Sequence, residues 1–484
     1  MTFRYKRTEK SFIRISYSNS NVNQWVVPFV EKTDQKLDFC HEMLYYTIYN
    51  IEKLGVLVFG RNLTDEVVMN SVNMLLLQAL QASLQRKSVI WNTEMTAAQW
   101  KELFTAASAH HVLPMVYEAV IRSPAAQKTD PQFFAAVKQQ TMRVVMMQTM
   151  NTAAFLKLLP VLMRAGVTPL VVKGIVCREL YPNPDSRFSG DEDLLIPESQ
   201  FAVCHEIMLA NGMELLNPEQ DLNEFEISYG KKGSTLHIEV HKQLFLPVSD
   251  AYGEFNRFFE NAHGHAVTHN VQDVQVPSLN HTDHLFYLIC HSFKHFLHSG
   301  FGIRQVCDIC LYANAFGAEI DWHRILTQCE EIHADHFAAA LFRIGEKYLT
   351  FQPDLACYPE RWKTLEVDEA AMLEDLLASG VFGGSSMSRK HSSNMTLYAV
   401  SARKKGKKGV NIVLETVFPS AKDLQGRYLY LKEKPYLLPF AWMDRFLKYR
   451  QEISKSGSGN NAAESIRIGN ERVELLKQYG IIDS

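Results

Sequence analysis

The apolar residues of this chain change their spacing twice, and this limits the fold to a class with both helices and a sheet. Between about Leu75 and Arg164 they recur three or four positions apart, which is helical spacing. Short β-branched runs then appear, beginning with Thr168 to Lys173, and helical spacing returns after Thr282. We therefore predict an α+β fold, in which a small mixed β-sheet core lies between predominantly helical N- and C-terminal regions.

The same changes predict five segments along the chain. Residues 1–68 show no sustained period, and we expect an unassigned extension that is poorly ordered or not native, because Met69 or Met74 opens the regular region. The remaining predicted segments are a helical lobe at 69–164, the sheet core at 165–280, a helical C-terminal domain at 281–453, and a linker with a terminal helix at 454–484.

Composition excludes several functional classes. With 46% hydrophobic residues, and 50 Lys plus Arg against 53 Asp plus Glu, the chain is neither disordered nor covered by a basic surface. Its eight cysteines show no regular close spacing, and no apolar signal region follows the N-terminus. No window reaches about 18 consecutive apolar residues. We expect a cytoplasmic protein with reduced cysteines and no membrane span.

Paired carboxylates stand at the start of the second predicted strand, where Gly190 precedes Asp191, Glu192 and Asp193. Side chains alternate along a strand, so the two aspartates project from one face while Glu192 points to the other. Such a pair suits Mg²⁺, which prefers one or two carboxylates together with phosphate oxygens of a substrate. The alternative is a pair of solvated acids in a turn, because Asp-x-Asp is common by itself.

A later alternating run offers a third carboxylate. It places His237, Glu239 and His241 on one strand face, and a turn at 231–234 with the chemistry of a β-hairpin precedes it. If this strand pairs beside the strand of Asp191, Glu239 joins the aspartates, and three acids can hold two metal ions roughly 3.5 to 4 Å apart. An exposed strand face is the alternative, and it suits His237 better than Glu239.

A strand that turns into a helix at Lys173 and Gly174 precedes the acids. Glycine at such a turn lets a phosphate approach backbone N–H groups, and lysine adds a positive charge. Arg178 and Arg187 are further cations nearby in sequence. Without the acids, a plain structural turn would explain the glycine equally well.

The residues from Val171 to Ile196 (VVKGIVCRELYPNPDSRFSGDEDLLI) resemble the signature of an uncharacterised nucleotidyltransferase family (NTP_transf_5-like) of the DNA polymerase β superfamily. The run from His237 to His241 resembles its third-carboxylate strand, and the similarity extends over about residues 75 to 480. The resemblance implies a nucleotidyltransferase core in which Asp191, Asp193 and Glu239 bind Mg²⁺ and Gly174 marks the phosphate turn. This chain departs from the superfamily pattern in having isoleucine after Gly174, where Lys173 or Arg187 would replace a serine contact, and an acid, Glu192, at a usually apolar position.

The predicted helix after the sheet carries His291, Lys294 and His295. Because this helix follows the sheet, we expect His291 and Lys294 to contact the nucleotide, and Asp308 to orient one of the histidines. Zinc held by the two histidines at i, i+4 is the alternative, although no clear Glu or Cys completes a ligand set.

Two other motifs receive structural interpretations. Cys307 and Cys310 lie in an apolar helical run, which is typical of buried thiols rather than a redox pair. Seven basic residues and no acid fall between Arg389 and Lys408. A solvated loop is the default interpretation of this run, and binding of an anionic acceptor such as nucleic acid or a phosphorylated glycan is the alternative.

The leading hypothesis is a Mg²⁺-dependent nucleotidyltransferase, with Mn²⁺ as the other candidate ion. An acceptor hydroxyl would attack the α-phosphate of a nucleoside triphosphate (NTP) and release pyrophosphate, with Asp191, Asp193 and Glu239 as metal-binding catalytic residues. The candidate nucleotide-binding residues are Lys173, Gly174, Arg187, Gly190, His291 and Lys294.

Two other functions stay open. One is a non-catalytic nucleotide-binding or regulatory, antitoxin-like protein of the same fold. The other is a nucleotide-sugar glycosyltransferase, which is less favoured because such enzymes build several βα units before their Asp-x-Asp motif. The sequence does not choose the acceptor, which is a small molecule, a glycan, a protein or an RNA, and it does not indicate the base of the nucleotide.

Overall fold

A computed structural model of the 484-residue chain shows two compact units, residues 1–65 and 66–484. The structure describes residues 4–8, 12–16, 24–28, 71–380, 387–406, 418–419, 428, 430–431, 434–455 and 462–483. The first unit contains three strands, Arg4–Thr8 (β1), Phe12–Ser16 (β2) and Gln24–Pro28 (β3). They form an antiparallel sheet in the order β1-β2-β3. The amino-acid sequence predicts no fold for this segment.

The second unit begins with helices whose starts follow from local capping chemistry. The hydroxyl of Thr96 accepts the N–H of Gln99, and the side chain of Gln99 accepts the N–H of Thr96. Asp130 caps the following long helix immediately before Pro131. Thr96 and Asp130 therefore fix the starts of these two helices. The helices are Ser71–Leu84 (α1), Ala97–Ala109 (α2), Leu113–Val120 (α3), Pro124–Gln127 (α4) and Pro131–Arg164 (α5).

Among the helices in the described part of the chain, α5 is the only one that is long and apolar enough to cross a membrane. Its polar residues nevertheless bond to the sheet region. The Asn151 amide donates to the Thr235 carbonyl at 3.2 Å, and the Gln148 side chain accepts the Ser189 N–H at 2.8 Å. These buried bonds are those of a helix packed within the folded unit.

A seven-stranded mixed sheet follows. Its strands are Leu170–Val172 (β4), Glu192–Leu195 (β5), Met213–Leu215 (β6), Glu226–Lys231 (β7), His237–His241 (β8), Val267–Val271 (β9) and Val274–Ser278 (β10). The order is β6-β7-β8-β5-β4-β10-β9, with β5–β8 and β4–β10 parallel and the other pairs antiparallel. The predicted hairpin is β7–β8. The sheet and its surrounding helices confirm the α+β prediction.

The register of the central strands places the candidate acids side by side. Strand β5 lies between β4 and β8, where Asp193 pairs with Val172 on one side and with Glu239 on the other. The short helix Gly174–Arg178 (α6) follows β4, and Phe201–Ala210 (α7) follows β5. Asp193 and Glu239 are thus neighbours although 46 positions separate them in sequence.

Helices dominate the rest of the unit. They are His281–Leu297 (α8), Ile303–Phe316 (α9), Trp322–Glu331 (α10), Asp335–Tyr348 (α11), Glu360–Lys363 (α12), Glu369–Ser379 (α13), Met387–Lys404 (α14), Leu438–Lys455 (α15) and Ala462–Gln478 (α16). One buried core runs from Val72 to Ile482 and joins the sheet to helices on both sides of it in sequence. Within the predicted linker that begins at residue 454, positions 456–461 lie outside the described residues. The finer domain boundaries stay a prediction.

Candidate active site

The turn between β4 and α6 strongly favours glycine at its second position. Lys173 has a φ of +57° and Gly174 a φ of +28°, both in the region that disfavours side chains. A Cβ atom at Gly174 would lie 2.1 Å from Oε2 of Glu192. The glycine thus makes room for Glu192.

Glu192, which lies between the two aspartates in sequence, is buried, and both of its carboxylate oxygens are bonded. Its Oε2 accepts the N–H of Ile175 at 2.9 Å, and its other oxygen pairs with the guanidinium of Arg178. Two consequences follow for the predicted phosphate turn. The Ile175 N–H at the helix start is already bonded, and Arg178, proposed as a further cation, is buried against Glu192 and does not line the cavity described below.

Donor atoms of Asp193, Glu239 and His241 converge, all within 4.8 Å of one another. The Nε2 atom of His241 lies 3.1 Å from Oδ1 of Asp193 and 3.7 Å from Oε2 of Glu239. Alternation along β8 explains why Glu239 and His241 share a face. His241 therefore belongs to the acidic cluster that the sequence analysis builds from carboxylates alone.

The cluster lies in a cavity of about 260 Å³. Of the residues predicted for the site, the cavity is lined by Lys173, Gly174, Arg187, Asp191, Asp193, Glu239, His291 and Lys294. Gly190 is the predicted site residue that does not line it. The structure thus brings both aspartates and Glu239 to one cavity. The cluster of converging donor atoms contains Asp193 but not Asp191.

One wall of the cavity holds two buried arginines that share a carboxylate. Arg187 forms a bidentate ion pair with Asp308, with contacts of 2.9 and 2.7 Å. The Tyr181 hydroxyl donates to the same carboxylate at 2.7 Å, and a guanidinium nitrogen of Arg304 lies 3.6 Å from it. The expectation that Asp308 orients a histidine is therefore wrong, because its oxygens are bonded to Arg187 and Tyr181.

Helix α8 presents histidines to Lys173. Nζ of Lys173 lies 3.1 Å from Nε2 of His291, which in turn lies 3.2 Å from Nε2 of His295. Burial, with the charge of Lys173 beside it, holds the pKa of His291 well below its usual range, so the ring is neutral. The ammonium group beside this pair disfavours the alternative of a zinc ion bound there.

The acids differ in their charge states. Burial alone would raise the pKa of Asp193, but Lys173 and His241 outweigh it and lower that pKa below its ordinary value. Burial, together with Asp193 and Asp191, raises the pKa of Glu239 from 4.5 to about 7. Negative charge is therefore in excess around Glu239, which favours an added cation.

The donor set fits a divalent cation. Carboxylate oxygens suit Mg²⁺ and Mn²⁺, and imidazole nitrogen is a ligand for many divalent transition metals. Glu226 adds a further carboxylate at the rim, because its Oε2 lies 3.5 Å from Nδ1 of His241. Asp193, Glu239 and His241 would hold the ion, with Asp191 in the same cavity.

Among the residues that line this cavity, His241, Glu226 and Arg304 can bind ions and received no role in the site from the sequence. The first two had local signals, since His241 alternates with Glu239 and the register of the hairpin places Glu226 opposite His241. Arg304 had none, because its place depends on how α9 packs against the sheet. Lys173 and Arg187 were found because they lie close to the acids in sequence.

The basic run after Arg389 is largely engaged within the protein. Arg389 pairs with Asp375 at 2.6 Å, and Lys405 pairs with Asp250 at 2.6 Å. Lys404 donates to the Ala251 carbonyl at 2.8 Å. These contacts argue against a free anion-binding patch. Two lysines of the run, at 407 and 408, lie outside the described residues. The predicted buried thiols, Cys307 and Cys310, are buried as expected.

Comparison with known proteins gives a family and a distant structural likeness. Residues 96–350 match the family described as uncharacterised nucleotidyltransferase, NTP_transf_5. No functionally curated protein matches the sequence. The crystal structure of an antigenic nucleotidyltransferase-like protein from Paracoccidioides brasiliensis is similar at 14% identity, over 46% of this chain and 95% of that one, with a TM-score of 0.27. That score is too low to carry an argument. Because the family match spans more than half of the 484 residues, the chain belongs to the uncharacterised nucleotidyltransferase family.

Proposed function

We propose that this protein is an enzyme that transfers a nucleoside monophosphate from an NTP to an acceptor hydroxyl and releases pyrophosphate, using Mg²⁺ or Mn²⁺. The observation that carries the proposal is one cavity that is lined both by the acids Asp191, Asp193 and Glu239 and by the arginines at 187 and 304, in a chain of this family. Opposite charges so arranged suit a metal-bound polyphosphate.

The cationic wall would bind phosphate oxygens in a fixed geometry. Asp308 holds Arg187 through two contacts, so this guanidinium loses little conformational freedom when an anion arrives. A guanidinium nitrogen of Arg304 lies 3.6 Å from Asp308, beyond ordinary hydrogen-bonding distance, and the buried Nε of Arg304 has no hydrogen-bond partner among the described residues. Arg304 therefore keeps donors for a ligand. Preorganised donors of this kind stabilise charge that develops during phosphoryl transfer.

The acidic side would hold the ion and orient the acceptor. When bound, a divalent ion neutralises phosphate charge and makes a hydroxyl more acidic. Asp193 is fixed for this task by β5, which is paired on both edges. The acceptor stays open among small molecules, glycans, proteins and RNA.

A test measures pyrophosphate release from each NTP with Mg²⁺ or Mn²⁺ and fractions of a source lysate. We expect Asp193→Asn to lower the rate by about 100-fold or more, because the variant loses a buried anionic ligand. Glu214→Gln, at an exposed position of the edge strand β6, is the matched control and should keep the wild-type rate. Melting curves verify that both variants fold.

Two results would count against the proposal. Equal rates in Asp193→Asn and wild type would remove the acidic cluster from the reaction. Tight NTP binding by the wild-type protein without pyrophosphate release in any fraction would identify a non-catalytic nucleotide-binding protein.

A further inference from the structure

Lys173 contacts the very carboxylate that would bind the metal. Its Nζ lies 2.9 Å from Oδ2 of Asp193, whose side chain is 1% exposed, and 3.1 Å from Nε2 of His291. The Lys173 side chain is itself 16% exposed. This ion pair therefore provides buried positive charge for the acidic cluster within the protein itself.

The backbone fixes Lys173 at this place. The residue has a φ of +57°, which costs about 1 kcal/mol or more for a residue with a side chain. Its N–H donates to Nε2 of the buried His284 at 3.1 Å, and the other ring nitrogen of His284 lies 3.0 Å from the Ser278 hydroxyl. Contacts from β10 and α8 thus hold a turn that local preference disfavours.

Polar atoms on two sides of the Lys173 ammonium differ in charge. Oδ2 of Asp193, at 2.9 Å, is a carboxylate oxygen, whereas Nε2 of His291, at 3.1 Å, belongs to an imidazole ring that carries no negative charge. Asp193 is therefore the contact at which the ammonium and a divalent cation would compete.

We propose that Lys173 is a built-in counter-ion that competes with the divalent cation for Asp193. The inference rests on the proposed function, since it takes Asp193 to be a metal ligand. Two cations at one carboxylate repel each other, so the ion pair weakens metal binding in the absence of nucleotide. Phosphate oxygens can accept the same ammonium donors, and this would relieve the competition.

The test is a titration of the full-length protein with Mn²⁺, in which electron paramagnetic resonance measures the free ion. We expect Lys173→Gln, which keeps hydrogen-bond donors but no charge, to bind Mn²⁺ on the order of tenfold more tightly than wild type. Lys173→Arg keeps the positive charge and should bind no more tightly than wild type. Melting in EDTA and in Mn²⁺ provides a second readout, in which Mn²⁺ should stabilise Lys173→Gln more than wild type.

The outcomes separate this inference from the proposed function. Equal or weaker Mn²⁺ binding by Lys173→Gln, in a protein whose wild type binds Mn²⁺ and releases pyrophosphate, overturns the inference alone. Tighter Mn²⁺ binding by Lys173→Arg than by wild type also overturns the inference. The Lys173→Arg titration still tests the inference if Lys173→Gln does not fold in EDTA. A wild-type protein that binds no Mn²⁺ overturns the metal-dependent function as well.

Discussion

At the scale of single residues, Gly174 and Glu192 depend on each other. The carboxylate of Glu192 occupies the space that a side chain at Gly174 would need, and it bonds the Ile175 N–H and Arg178. A buried acid is tolerated here because it is paired with a cation and hydrogen-bonded. An acid at position 192 is therefore compatible with a buried strand.

Gly174→Ala should lower the free energy of unfolding by about 1–3 kcal/mol, because its Cβ would collide with Glu192. Urea denaturation measures the change. Gly190→Ala is the matched control, since no atom lies within 4 Å of its Cβ and its φ is not in the left-handed region. Equal stability of the two variants would contradict the assigned role of Gly174.

Glu239 gives the metal-free protein a pH-dependent stability. Its pKa is raised from 4.5 to about 7, so the folded state keeps a proton that the unfolded state loses. The stabilisation is full below pH 4.5 and is lost as the pH rises through about 7. This stabilisation contributes on the order of 3 kcal/mol to the free energy of unfolding.

Glu239→Gln removes the titrating carboxyl group. The buried histidines, whose pKa values are lowered, contribute equally to the pH dependence of stability in the variant and in wild type. In EDTA we expect the stability of the variant relative to wild type to increase between pH 5 and pH 7. Urea midpoints across that range give the difference. A difference that stays constant with pH would show that the carboxyl of Glu239 titrates near its ordinary value.

At the scale of elements, Asp308 connects helix α9 to the loop that carries Arg187. The carboxylate accepts from Tyr181 and Arg187, which lie between α6 and β5, and it lies near Arg304 one turn earlier on α9. Two arginines beside one carboxylate are stable when buried only if that carboxylate is present. The position of the cationic wall therefore depends on this one acid.

Asp308→Asn should lower the free energy of unfolding by about 3–5 kcal/mol, because it leaves Arg187 and Arg304 buried without a counter-charge. Tyr181→Phe, which removes one neutral donor to the same carboxylate, should cost only about 1 kcal/mol. Urea denaturation of both variants shows which one loses more stability. A smaller loss of stability in Asp308→Asn than in Tyr181→Phe would contradict the role assigned to Asp308.

At the scale of the whole molecule, the sequence predicted what depends on local pattern. Alternation and turn chemistry predicted the hairpin, the strand of Asp193 and the turn at Gly174, and family resemblance linked them. The pairing of Arg187 with Asp308 spans 121 positions and depends on helix packing, which leaves no local signal. The strand order and the contact between Lys173 and His291 could not be predicted either, because they too depend on packing between residues far apart in sequence.

The division into two compact units gives a further expectation. Residues 66–484 contain the whole core from Val72 to Ile482 and every residue of the cavity. Expressed without the first 65 residues, they should melt at the same temperature as the full chain and bind Mn²⁺ with the same affinity. Calorimetry and the Mn²⁺ titration test this. A large loss of either property would show that the first unit supports the second.

The proposed reaction is transfer of a nucleotidyl group to an acceptor in this cavity. The most direct test of that reaction compares NTPs labelled at the α- or the γ-phosphate. Wild-type protein is incubated with each label, Mg²⁺ or Mn²⁺ and source lysate. We expect label from the α-phosphate in an acceptor fraction, label from the γ-phosphate in pyrophosphate, and neither with Asp193→Asn. Transfer of the γ-label to the acceptor, or no transfer of the α-label from any NTP, would contradict the claim.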